Sequence, residues 1–165
     1  MFKMINKIKS NIFQLYFKGF GSVVYLLKIK NQNIIIDTSS SKNEKELINN
    51  LEQLNLNPKD IDIIILTHQH WDHNENINLF KNAKLYKYEN INQLPIKEFK
   101  IIKTPGHTKD SIVILYKKIL FSGDTLFHNG IGRTDFSDSE PKKMNDSLKK
   151  LKNLNYQILC PGHVF

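Results

Sequence analysis

The segment Ile61-Asp62-Ile63-Ile64-Ile65-Leu66 is apolar at all but one position, and it runs straight into Thr67-His68-Gln69-His70-Trp71-Asp72-His73. A near-continuous apolar run of this length marks a β-strand buried on both faces, as in a parallel sheet covered by helices. The polar loop therefore leaves the end of a buried strand. It gathers three imidazoles and one carboxylate within six residues. Neighbouring His repel one another when protonated, so such a cluster gains nothing without a cation to bind. Imidazole and carboxylate are ligands for zinc, iron and manganese. A His-x-His pair in extended backbone sends both rings to one side, and Asp72 and His73 turn toward the same space from the loop.

The rest of the chain supplies a layered frame for that strand. Residues 11–17, 22–30 and 34–36 read as strands rich in β-branched and aromatic types, with a turn at Asn31-Gln32-Asn33. Ser41 with Glu44 has the spacing of a capping box, and Leu47, Ile48, Leu51 and Leu54 follow at helical intervals. Residues 84–88, 99–103, 112–116 and 119–121 read as short strands. Residues 141–154 read as a helix with Pro141 at its first position, and 157–160 as a last strand. Strands interleaved with helices imply an α/β layered domain rather than an all-β barrel.

Composition sets the outer bounds. At 165 residues the expectation is one domain spanning 1–165, with enough chain for a hydrophobic core. One Cys excludes an intramolecular disulfide and a cysteine-based zinc finger, so any metal must be held by His and carboxylates. Net charge is +8, with 24 basic against 16 acidic residues, which favours anionic partners: nucleic acid, an acidic metabolite or a membrane surface. The basic N-terminal segment, residues 1–10, lacks the apolar run of a secretory signal, and no stretch is apolar enough for a membrane helix. The expectation is a cytoplasmic protein with no membrane partner.

Three further motifs fall at predicted strand ends: Thr104-Pro105-Gly106-His107-Thr108, Ser122-Gly123-Asp124-Thr125 and Cys160-Pro161-Gly162-His163. Each alone is an ordinary turn. Together with the His68–His73 cluster they make four strand ends that offer His or Asp.

This set resembles the metallo-β-lactamase superfamily from Tyr25 to His163. The resemblance implies a four-layer αββα sandwich in a compact version, with a metal site along one edge. It implies that His68, His70 and His107 hold a first metal, that Asp72, His73 and His163 hold a second, and that Asp124 bridges both. Asp37, at the end of an early strand, matches a buried Asp that orients the motif loop. Two close divalent cations, zinc first with iron or manganese as alternatives, lower the pKa of a shared water and hold the developing oxyanion. Asp72 is then both ligand and the catalytic acceptor that orients the nucleophile.

Gly123-Asp124-Thr125-Leu126-Phe127 with Ile131-Gly132-Arg133-Thr134-Asp135-Phe136 is similar to the glyoxalase II-like branch, which implies hydrolysis of a thioester such as a hydroxyacylglutathione. Arg133 is then a candidate for binding substrate, its guanidinium suiting a carboxylate or peptide carbonyl. A salt bridge to Asp135 is the competing role. His128 matches no ligand position. Glyoxalase II has a helical C-terminal domain beyond this last Pro-Gly-His, and the domain expected here lacks it. An iron persulfide dioxygenase using His68, His107 and Asp124 is the alternative activity. A nuclease ranks lower, because the interval between Asp124 and His163 leaves no room for a domain to hold nucleic acid.

Overall fold

In the computed structural model, which describes residues 4–164, the chain divides into two compact units, Met1–Tyr86 and Lys87–Phe165. The first three residues of the basic N-terminal segment lie outside the described residues.

The first unit is built on a six-stranded sheet in the order β1-β2-β3-β4-β5-β6. Its strands are β1 (Ile5–Lys9), β2 (Ile12–Leu15), β3 (Val24–Ile29), β4 (Gln32–Ile36), β5 (Ile63–Ile65) and β6 (Lys84–Tyr86). The first four are antiparallel neighbours, and β4, β5 and β6 are parallel. Every residue of β5 is buried between its two parallel neighbours, as the apolar run predicts. Helix α1 (Glu44–Gln53) turns Leu47 and Leu51 into a cluster with Val24, Leu26, Ile35, Ile64 and Leu66. Both leucines are fully buried, each contributing about 1.5–3 kcal/mol of apolar transfer.

One strand goes beyond the sequence reading, and two local expectations are corrected. β1 was not legible because Lys and Asn interrupt its apolar residues; it is an edge strand, where charge keeps the sheet from pairing further. The β3–β4 turn is made by Lys30 and Asn31, both left-handed (φ 50° and 63°), and Gln32 is already in β4. Ser41 and Glu44 form no capping box. The stretch Ser41–Asn43 is a 3₁₀ turn, and the Ser41 N–H and hydroxyl both donate to Glu75 at 2.8 Å.

The second unit carries a four-stranded sheet in the order β10-β9-β8-β7. The strands are β7 (Phe99–Lys103), β8 (Ile112–Tyr116), β9 (Ile119–Gly123) and β10 (Ile158–Pro161). β8 is antiparallel to both β7 and β9, and β10 runs parallel to β9. Thus β7, β9 and β10 all end at one edge of the sheet. Helix α3 (Pro141–Lys152) begins on Pro141 and buries Met144, Ser147 and Leu151. Leu151 joins Val113 and Leu120 in the core of this unit. The single cysteine, Cys160, is buried in β10. Among the described residues no helix is long and apolar enough to cross a membrane.

Candidate metal centre

Parallel pairing brings the candidate ligands of the first unit together. β4 and β5 run side by side with Ile36 opposite Ile65, so the residues that follow them, Asp37 and Thr67, emerge next to each other. Ligand groups collect beyond the carboxyl ends of parallel strands for this reason. Asp37 leaves β4 in the left-handed region (φ 61°), and its N–H donates to Ile65 O at 2.9 Å. The next turn is pinned by Asn76, whose amide donates to Thr38 O (2.7 Å) and Ser40 O (2.8 Å).

The carboxylate of Asp37 is buried and accepts three hydrogen bonds. Oδ1 takes the Thr67 N–H at 2.8 Å; Oδ2 takes the Thr67 hydroxyl at 2.8 Å and His73 Nδ1 at 2.8 Å. A carboxylate only accepts, so His73 must carry its proton on Nδ1, which leaves the lone pair on Nε2. The same logic extends one residue further. With its proton given to Asp37, Thr67 Oγ1 accepts from His68 Nδ1 at 3.1 Å, and His68 too keeps its lone pair on Nε2. One carboxylate thus sets the tautomers of two imidazoles. A partner behind the ring orients metal-binding His in the same way.

His70 ends the extended stretch (φ −65°, ψ 148°) and precedes the short helix α2 (Trp71–Asn74). The rings of His68 and His70 lie 4.7 Å apart, and those of His68 and His73 4.0 Å apart. The His-x-His pair therefore does converge. Asp72 is buried on α2 beside His73, and its main-chain carbonyl takes the Ser22 N–H at 2.8 Å. Trp71 is half exposed and meets the exposed Phe20 at 5.7 Å between ring centres.

The second unit assembles His107, Asp124 and His163 at the shared edge where β7, β9 and β10 end. Gly123 closes β9 in the left-handed region (φ 49°), where a side chain would be strained, and turns Asp124 toward the edge. Its carbonyl takes the Gly162 N–H at 2.8 Å, which ties the Pro-Gly-His turn to the same corner. The His107 turn is pinned from outside: Ser147 Oγ donates to Pro105 O (2.7 Å) and Ser139 Oγ to His107 O (2.6 Å).

His107 Nδ1 lies 2.7 Å from the carbonyl oxygen of Arg133. A carbonyl cannot donate, so Nδ1 carries the proton and Nε2 the lone pair. That Nε2 sits 3.5 Å from Asp124 Oδ2, and His163 Nε2 sits 3.5 Å from the same oxygen. Two donor atoms on a tetrahedral ion with bonds of about 2.0–2.1 Å stand about 3.3–3.4 Å apart. The spacing is long for a hydrogen bond and right for atoms sharing a cation. His107, Asp124 and His163 therefore fit a divalent metal in their donor atoms and distances, and His107 also in its tautomer.

Arg133 itself is exposed and makes a two-pronged pair with Asp135, Nε to Oδ1 at 2.9 Å and a terminal nitrogen (Nη2) to Oδ2 at 2.8 Å. That pair holds the Asp135 carboxyl below its ordinary range and the guanidinium above its own. His128 is exposed. Sequence reading gave no role to the Thr67 hydroxyl, the Asn76 amide or the Arg133 carbonyl. The first two leave no local pattern, and a carbonyl carries no side-chain identity at all.

Each unit thus sets imidazoles and carboxylates at strand ends, on an α/β frame with two mixed sheets. The chain belongs to the metallo-beta-lactamase superfamily, whose model matches residues 18–88 and 86–163. It is 38% identical over 148 residues to "Probable metallo-hydrolase MJ0296" of Methanocaldococcus jannaschii, covering 79% of this chain and 70% of that one. It is 34% identical over 150 residues to hydroxyacylglutathione hydrolase 1 of Vibrio vulnificus, covering 80% of this chain and 57% of that one. In structure it is similar to TTHA1623 in a di-iron-bound form, with a TM-score of 0.72, 23% identity, and cover of 87% of this chain and 88% of that one. The α/β metallo-β-lactamase fold expected from the motifs is the fold observed.

Proposed function

We propose that the chain is a metal-dependent hydrolase of the glyoxalase II-like type, acting on a thioester such as a hydroxyacylglutathione or a related small ester. His68, His70 and His107 would hold one divalent ion, Asp72, His73 and His163 a second, and Asp124 both. The observation that carries this is the imidazole chemistry: His68, His73 and His107 are each engaged at Nδ1 from behind, so that Nε2 is the ligand atom. The similarity to proteins named metallo-hydrolase and hydroxyacylglutathione hydrolase supports the reaction class. Zinc suits the set best by its liking for imidazole and carboxylate in tetrahedral sites, with iron supported by the di-iron form of a structural neighbour.

When bound, the ions supply an acidified water and positive charge facing the oxyanion. The chain's own groups do the rest. Asp72 accepts a hydrogen bond from the attacking water and aims its lone pair at the thioester carbon. Water adds to that carbon, the C–S bond breaks, one water proton passes to the departing sulfur and the other is released, and carboxylate and thiol leave. Arg133, exposed and paired with Asp135, would exchange that partner for a carboxylate of the substrate, and the net positive charge of the chain favours such an anion.

The test is metal analysis together with hydrolysis of S-lactoylglutathione. The expected result is two metals per chain and thioester loss that His70→Ala abolishes. No thioester loss by fully loaded protein, across a panel of small thioesters, would overturn the reading. One iron per chain with oxygen consumption on a persulfide would replace it with the dioxygenase alternative.

A further inference from the structure

We propose that the main chain at Gly132–Arg133 is a positioning clasp, in which the bare Gly132 lets one peptide segment hold His107 and Asp124 at once for metal binding. This rests on the reading that those two residues are metal ligands.

The segment makes two bonds in succession. The Gly132 N–H donates to the main-chain carbonyl of Asp124 at 2.9 Å, and the Arg133 carbonyl accepts from His107 Nδ1 at 2.7 Å. Consecutive residues thus fasten the backbone of one ligand and the ring of the other. The approach is too close for a side chain. A Cβ at Gly132 would lie 2.0 Å from the Asp124 carbonyl oxygen and 2.8 Å from His107 Nδ1. The first of these is main chain at the end of β9 and cannot swing aside. Gly132 is buried although Ile131 and Arg133 on either side are exposed. The loop dips toward the ligands at this one residue.

The side chain of Arg133 points the other way. Its guanidinium is paired with Asp135 and lies 4.8 Å from the centre of the Phe136 ring, and that ring meets His107 edge-on at 5.7 Å. The residue therefore separates two roles. The carbonyl sets the His107 tautomer, and the side chain faces solvent and any substrate. Removing the guanidinium leaves the clasp; adding one methyl group at Gly132 breaks it.

The experiment uses the full chain and two readouts that need no substrate. The first is the ring tautomer of His107 in metal-free wild-type protein, from nitrogen-15 histidine NMR assigned with His107→Gln. The expected state is a single tautomer protonated at Nδ1. A His107 ring protonated at Nε2, or exchanging between tautomers, overturns the proposal. The second is zinc affinity by chelator competition. Gly132→Ala should weaken it by about 10–100-fold, as for other groups that hold a ligand from behind, while Arg133→Ala stays within about twofold of wild type. Equal losses in the two variants, or none in Gly132→Ala, overturn it. Metal-free melting shows whether Gly132→Ala folds; if it does not, the wild-type tautomer decides. Failure of the thioesterase reading leaves both readouts standing. Normal hydrolysis with a mobile His107 tautomer would sink the clasp alone.

Discussion

Replacing Asp37 by Asn changes one atom and should invert two imidazoles. Oδ1 can keep its bond from the Thr67 N–H, but an NH₂ group then stands where Oδ2 accepted from Thr67 Oγ1 and His73 Nδ1 at 2.8 Å each. Two donors now face a donor. To avoid the clash, His73 must move its proton to Nε2. The Thr67 hydroxyl must turn and donate to His68, which moves that proton to Nε2 as well. Both ligand atoms are then blocked. Hydrogen bonds to a charged acceptor contribute about 1.5–3 kcal/mol each and neutral ones about 0.5–1.5, so exchanging two of the first kind for two of the second costs about 2 kcal/mol. For a chain of this size that is a fall of about 4–8 °C in melting temperature, at about 2–4 °C per kcal/mol. Calorimetry of metal-free Asp37→Asn checks it, and a zinc titration should show an affinity loss of about 10–100-fold. A variant that melts within about 2 °C of wild type and binds zinc equally well would refute the tautomer reasoning.

Thr67 separates the hydroxyl from the packing. Thr67→Val should keep the fold, weaken zinc binding by about tenfold through loss of the His68 contact, and alter the visible spectrum of the cobalt-substituted protein, while Thr67→Ser restores both. Glu75 gives a pH dependence. The Ser41 N–H, and then the Ser41 hydroxyl, hold its carboxyl below the ordinary glutamate range. A depressed carboxyl stabilises the fold fully above its unfolded pKa, and that gain is lost as pH falls through the folded value. In urea titrations, the difference between wild type and Glu75→Gln should therefore be constant above about pH 5 and shrink below the ordinary value of about 4.3. A difference that grows in acid would contradict the Ser41–Glu75 pairing.

Local spacing made much of the frame legible. The β5 run, the Leu47 and Leu51 stripe of α1 and the Pro141 start of α3 all depend on neighbours a few residues away. What failed was decided at longer range. Ser41 has the local pattern of a cap, yet it gives both its donors to Glu75, 34 residues on. β1 carries Lys and Asn because it lies at an edge, and only the sheet order shows that it does.

The candidate ligands divide in the same way. The sequence by itself determined which atoms could bind a cation, because His68, His70, Asp72 and His73 are close in the chain and imidazole and carboxylate have few other reasons to cluster. It also put Asp124 and His163 at strand ends. Only the tertiary structure decided which ring nitrogen of His68, His73 and His107 carries the proton and which the lone pair. That choice belongs to the group behind the ring: Asp37 for His73, Thr67 and Asp37 for His68, and the Arg133 carbonyl for His107. Parallel pairing of β4 with β5 delivers the first two. The third is a main-chain oxygen brought in by a loop that only a glycine lets so close, and every residue type carries the same carbonyl.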